Sequence, residues 1–368
     1  MPDKIQFRRD TAANWRTFNT LLASGEPGFE TDVRLFKVGD GVTAWNTLPY
    51  ANLPDPSLAG GRLSIYQHVP VVAPNPGFFN PTPPSILYYV PYKSNLITLW
   101  THGVGWRTRA FDTNTAVSLV GLPGNTNYDV FASDVNGSVQ LSLVAWADNW
   151  TRATIAGIPG CGTAGIVRHQ GVMVQCGDVS KRYLGTIRTS AAGGSTQDNF
   201  WRRFVYNHDN QVLTTTFWQH GIAHTYSSSF WRQWDNGSYG DATQTAQAAN
   251  KIQIVTGAWA PIAVRLGTYM RYGNVALMVY GAAAQRHGNP AIWNGITPFG
   301  EFTGYGMAST NINIINPTPL GGGSVISQQT SVTYGQNQIG LIEFWVAQYG
   351  YSDMSWFLNT NISADLMM

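Results

Sequence analysis

Charge is scarce in this chain. Only 11 % of its 368 residues are Asp, Glu, Lys or Arg, less than half the roughly 25 % of an average soluble domain. The 22 basic and 20 acidic side chains leave a net charge of +2. That excludes a strong electrostatic grip on nucleic acid or on an anionic membrane surface. Cysteine is nearly absent: Cys161 and Cys176 cannot build a disulfide scaffold or supply the four ligands of a structural zinc site. They read as two separate buried thiols, with a bridge left open because spacing along the chain says nothing about distance in space. No run approaches the roughly 18 apolar residues of a membrane helix, and Met1-Pro2-Asp3-Lys4 opens no apolar leader. Synthesis in a cytoplasm, without membrane insertion, is the expectation.

Helical periodicity is equally sparse. The best candidate is Asp10 to Leu22, where Ala12, Trp15, Phe18 and Leu22 fall near one face and Asp10 or Thr11 stands ready to cap. A second short helix is expected over Asp198 to Tyr206, on the spacing of Phe200, Arg203 and Phe204. There is no repeat of 20–50 residues and no heptad run, which excludes a solenoid or a coiled coil.

Catalytic signatures are missing as well. The sequence holds no HExxH, no GxSxG elbow, no Walker loop and no GxGxxG between strand and helix. His220 and His224 are four apart, but Gly221 between them favours strand or loop, where that spacing spans about 13 Å at roughly 3.3 Å per residue, too far for one ion. No metal and no cofactor are expected. Most acidic residues stand beside turn formers, as Asp134 does before Asn136-Gly137. Glu301 and Glu343, each flanked by aromatics, are left as weak carboxylate candidates for glycoside cleavage. The expectation is therefore a protein that is not an enzyme.

What is plentiful is turn and strand material. Glycine numbers 39 and proline 19, aromatics make up 13 % and hydrophobic residues 43 %, the composition of an all-β protein dense in turns. Leu35-Phe36-Lys37-Val38 before Gly39-Asp40-Gly41 is a hairpin signal, as is Asn136-Gly137 before the alternation Ser138 to Leu143. Composition shifts divide the chain into residues 1–51, a Pro/Gly-rich linker at 52–84 with a short strand near Leu63, a middle β domain at 85–194, and a C-terminal β-sandwich domain at 195–368.

Within the last part, Trp218, Tyr226, Trp231 and Trp234 stand among Ser, His, Gln and Asn, a mixture suited to stacking on sugar faces while amides and hydroxyls bond the sugar. Filling of a core or of a subunit interface explains the same pattern. Trp293, between Pro290 and Gly295, reads as a surface-loop tryptophan and is the favoured binding residue, with a fold-filling role as its alternative.

The first 50 residues carry a specific pattern. Ile5-Gln6-Phe7-Arg8-Arg9-Asp10-Thr11-Ala12-Ala13-Asn14-Trp15 leads to Gly25-Glu26-Pro27-Gly28-Phe29-Glu30, then to Phe36-Lys37-Val38-Gly39-Asp40-Gly41-Val42-Thr43-Ala44-Trp45. This resembles the N-terminal module of phage fibre proteins, seen in the major tropism determinant and in tail-fibre proteins. The resemblance implies a small β-prism-like virion-attachment module that is trimeric, with Phe7, Trp15, Gly28, Phe29, Gly39, Asp40, Gly41 and Trp45 as its motif residues. In physical terms the glycines supply turns, and Trp15, Phe29, Val38 and Trp45 are expected to form a small core. Further on, Ile86 to Tyr92, Arg182 to Thr189 and Arg203 to Asn207 resemble uncharacterised tailed-phage structural proteins, which implies virion structure and no particular chemistry.

Together these readings predict β-barrel or jelly-roll-like β-sandwich domains behind the module, in a homotrimeric fibre or spike on a virion tail or capsid. Its partners would be itself, a virion protein and a host-surface polysaccharide or protein. A purely structural head fibre or decoration protein is the alternative, and a polysaccharide-cleaving enzyme the weakest reading.

Overall fold

Strand-forming residues dominate the sequence, and the chain folds accordingly. The computed structural model describes residues 7–52, 54–72, 83–149, 151–152, 165–220, 225–226, 232–233, 251–258, 260–269, 274–280, 323–332, 335–344, 354–355 and 360–368. Among them the one helix is Ala12–Phe18, and all other long-range regular structure is strand. The protein is all-β, and no sheet among the described residues closes into a barrel.

The helix is shorter than the periodicity predicts. Thr11 is its N-cap, its Oγ1 accepting from the Asn14 N–H at 3.2 Å. Asn19 ends it in the left-handed region at φ 45°, its N–H bonding back to the Trp15 carbonyl at 2.9 Å. Arg8–Asp10 runs parallel to Pro27–Glu30, which pairs antiparallel with Leu35–Val38. The hairpin turn therefore precedes Leu35, and Gly39-Asp40-Gly41 leads the chain away instead of closing a hairpin.

The middle unit is a sandwich. One layer holds Gly61–Ser64, Ile86–Pro91 and Ala116–Ser118, with the hairpin Leu96–Thr101/Gly105–Ala110 beside it. The other is a six-stranded sheet in which Asp178–Arg188 pairs with Asn127–Val135, Val172–Gln175 and Val205–Asn207. Leu63, Leu87, Tyr89, Ile97 and Leu99 from the first layer meet Tyr128, Val130, Leu184, Ile187 and Val205 from the second in one buried core. The Asn136-Gly137 hairpin forms as expected, with both residues left-handed at φ 51° and 87°.

The short strand expected near Leu63 forms as Gly61–Ser64, and Leu63 and Ile65 belong to the main core. Two expectations are corrected. The second helix does not form. Arg202–Arg203 and Val205–Asn207 are strands pairing with Lys251–Thr256 and Asp178–Arg188, so the sandwich continues past residue 194. Phe204, Val205 and Tyr206 are all buried, which a one-faced helix would not allow, and their β-propensity prevails. Finally, Cys176 is not a free thiol but is disulfide-bonded. The chain's other cysteine, Cys161, lies outside the described residues.

The chain passes from the middle unit into the C-terminal part, and its last residue returns, at one place, while Lys251–Thr256 makes a second junction with Arg202–Arg203. Val212 and Met368 exchange backbone hydrogen bonds at 2.9 and 3.0 Å, and Arg62 donates to the Met368 carbonyl at 3.0 Å. From there Leu213–His220 runs antiparallel to Thr360–Met367, which pairs with Ala260–Tyr269, itself paired with Gly323–Val332. A second sheet centres on Gly335–Phe344, flanked by Lys251–Thr256 and Asn274–Tyr280.

Candidate functional site

The N-terminal module is built around two stacked indoles. Trp15 faces inward from the helix, and Trp45 lies on it with centroids 4.0 Å apart and planes 15° from parallel. Leu22 and Leu48 complete this small core. Gly28 lies beneath the stack: a Cβ there would stand 2.5 Å from the Trp45 ring and 3.2 Å from Trp15. The Trp15 indole N–H donates to the Phe29 carbonyl at 3.1 Å, fastening helix to strand.

The strand faces are opposite to expectation. Phe29 is only half-buried and Val38 is 41 % exposed, while Glu30 and Lys37 point inward and are buried. Period-two alternation through Gly28 forces this, since the glycine must face the indoles and Glu30 then shares its side. Lys37 Nζ donates to the Trp45 carbonyl at 2.6 Å and lies 4.3 Å from the Tyr50 ring centroid and 5.0 Å from that of Trp45. Burial lowers its pKa, with Glu30 pulling the other way. Glu30 accepts from the Tyr50 hydroxyl at 2.9 Å. Burial, then that hydrogen bond, raises the tyrosine to about 12.

The turn residues are accounted for locally. Asp40 accepts from the Val42 and Thr43 N–H groups at 2.9 and 2.7 Å and from the Thr43 hydroxyl at 2.6 Å. Those bonds, the Thr43 hydroxyl first, hold its carboxyl down at about 2. Gly41 is left-handed at φ 81°, and Gly39 is buried against Leu22 and Ala23. Phe7 is exposed ahead of the first strand. The motif residues thus mostly build the module and do not form its surface. What it presents outward is a group the motif did not single out: Phe18, Leu21 and Val42, with 71, 53 and 82 % of their surface exposed. Leu21 bridges to Ala44, two residues from Val42. Phe18, expected on one helix face with Ala12 and Trp15, stays outside the core instead, and Leu21 and Val42 belong to no motif.

Residues 5–43 match the family model of the major tropism determinant N-terminal domain. The module thus resembles that of the major tropism determinant, as its residues indicate. A hyaluronoglucosaminidase of Streptococcus pyogenes phage H4489A is 39 % identical over 54 residues, 15 % of this chain and 15 % of that protein. Solved structures of the P3c and U1 variants of the major tropism determinant align over 50 and 59 % of this chain and 38 and 46 % of theirs, at 16 and 15 % identity and TM-scores of 0.20 and 0.22. The chain thus spans less than half the length of each of these proteins.

The aromatic candidates of the C-terminal part divide. Trp218 lies on Leu213–His220, opposite Ile362, and Tyr226 pairs with Met354. Since Leu213 and Met367 are at the junction with the middle unit, His220 and Thr360 mark the remote end of that sheet. Trp218 is two residues from that end, and Tyr226 a few residues beyond it along the chain. Trp231, Trp234, Trp293, His224 and Glu301 lie outside the described residues. Glu343 stands in register opposite Arg232 and Val275 within its sheet.

Proposed function

We propose that this chain is a fibre or spike protein of a tailed-phage virion, a homotrimer anchored through its N-terminal module and binding a host-surface receptor with its C-terminal part. The observation that carries the reading is the family match over residues 5–43, on a segment whose motif residues form one coherent core. Binding at the virion surface, without bond cleavage, is its role. The name of the hyaluronidase relative belongs to that protein, which shares only a short segment with this chain.

The attachment surface is Phe18, Leu21 and Val42. Isolated apolar residues at a surface are ordinary, but three this exposed on so small a module, with Leu21 bridged to Ala44 near Val42, favour coverage by a neighbour. The receptor surface is at the end of the C-terminal part remote from residues 212 and 368, where Trp218 and Tyr226 lie and which Trp231, Trp234 and Trp293 flank in sequence. A polysaccharide or protein receptor fits such aromatic and amide chemistry.

Phage carrying F18D together with V42D should yield particles depleted of this protein, while the purified variant melts as the parent does. Normal incorporation would refute the attachment role. Particles carrying W218A or W293A at full occupancy should adsorb poorly to host cells. Full adsorption by both would leave the chain a purely structural decoration.

A further inference from the structure

The middle unit carries a surface aromatic cluster that this reading does not use. In the hairpin Leu96–Thr101/Gly105–Ala110, Trp100 stands directly opposite Trp106 and Leu99 opposite Arg107. Residues opposite in register share a face, so the two pairs point to opposite sides. Leu99 enters the main core, and Arg107 bonds the Val33 carbonyl of the N-terminal module. The indoles are turned away from both. They meet edge to face with centroids 5.4 Å apart, and both remain partly exposed.

A second hairpin, Ile166–His169/Val172–Gln175, converges on them. It brings the His169 ring to 4.6 Å from Trp100 and 5.9 Å from Trp106. From its turn, Gln170 accepts the Trp106 indole N–H on Oε1 at 2.8 Å, which fixes the plane of an exposed amide. His169 Nε2 is shielded from water and has no hydrogen-bond partner among the described residues. Stabilising a two-stranded hairpin accounts for one cross-strand indole pair. It does not require a third ring and an oriented amide from a separate hairpin.

We propose that Trp100, Trp106, His169 and Gln170 form a carbohydrate-binding platform for an uncharged pyranose unit. Ring faces suit the apolar C–H face of a sugar, and a held amide beside them suits its hydroxyls. Asp178 lies 3.5 Å from His102 and 3.6 Å from Lys181, and Arg109 is 2.6 Å from Asp134. Arg168 bonds the Gly171 carbonyl and alternates to the strand face opposite His169, so no lone charge on the ring face selects an anionic or cationic sugar. This platform is separate from the receptor end described above and stands whether or not that end binds.

The full-length protein is applied to an array of bacterial polysaccharides and neutral oligosaccharides, and the brightest oligosaccharide is then titrated against tryptophan fluorescence. W106A should weaken binding by roughly tenfold, W106F should retain most of it, and all variants should melt as the parent does. Q170A, which leaves the rings in place, should also weaken binding, so the outcome does not hang on how the hairpin tolerates W106A. Binding to no arrayed glycan overturns the proposal. So does binding that W218A abolishes while W106A and Q170A leave it unchanged.

Discussion

Glu30 and Lys37 sit inside a module of about 45 residues, where a charge unmatched by hydrogen bonds would cost several kcal/mol. Lys37 is matched by the Trp45 carbonyl and two ring faces, whereas Glu30 accepts from the Tyr50 hydroxyl on Oε1 and leaves Oε2 buried without a hydrogen-bond partner among the described residues. Both depend on Gly28, which lets the indoles close over the strand. G28A places a methyl group 2.5 Å from the Trp45 ring and should destabilise the module by about 1–3 kcal/mol, read by urea titration of indole fluorescence. His208 offers a pH test. Burial lowers its pKa below 6.5; Asp209 opposes that, while Arg182, Arg168 and Arg152 reinforce it. The unfolded chain therefore takes up a proton near pH 6.5 that the folded chain resists. Stability should fall as the pH drops through 6.5 and level off once the folded imidazole also protonates. H208N should flatten that slope between pH 7.5 and 5.5, and an unchanged slope would assign it elsewhere.

At the scale of elements, the Asn136-Gly137 hairpin was legible, the Gly39-Asp40-Gly41 signal misplaced its turn, and pairings between distant segments were not legible. Asn136-Gly137 announces a turn with two positive φ angles, and the structure has one. G137A, at φ 87°, should cost about 1–2 kcal/mol of strain, measured as a lower melting temperature with the sheet retained. The helix was legible from Trp15 and its Thr11 cap, although Asn19 ends it before Leu22. The phase of the next two strands was not. Phe29 and Val38 look like core residues until Gly28 is placed under the indoles. Phe200, Arg203 and Phe204 fit one helical turn, yet the segment is drawn into strands by Asp178–Arg188 and Lys251–Thr256, partners that no local window contains. The Trp100, Trp106 and His169 cluster was hidden for the same reason, since two hairpins some sixty residues apart build it. The disulfide at Cys176 likewise depends on proximity that spacing does not encode.

Across the whole molecule, buried arginines do the joining that a low-charge chain leaves to few residues. Arg152 pairs with Asp129 at 2.7 Å and reaches the Gly257 carbonyl at 2.9 Å, tying the sandwich to the C-terminal part. Arg62 bonds the carbonyls of Pro70, Asn210 and Met368, holding the place where that part leaves and returns. Native mass measurement of the purified protein should return three chains per particle, and a stable monomer at micromolar concentration would refute the homotrimer. Arg182 makes the most demanding junction. Its side chain, 3 % exposed, donates to the carbonyls of Pro56, Ser57, Leu58 and Thr98 at 2.7–3.2 Å and pairs with Asp209 at 3.3 Å. One planar fork thus closes the end of the supposed linker onto the six-stranded sheet and the exit toward residue 213. R182A leaves those carbonyls unsatisfied and should cost about 3–5 kcal/mol. R182K should recover little, because a single ammonium lacks the two-nitrogen fork that Arg182 uses to reach four carbonyls and a carboxylate. Urea titrations of both variants test this. A loss under about 1 kcal/mol in R182A would show that residues 56–58 are held by their strand neighbours alone.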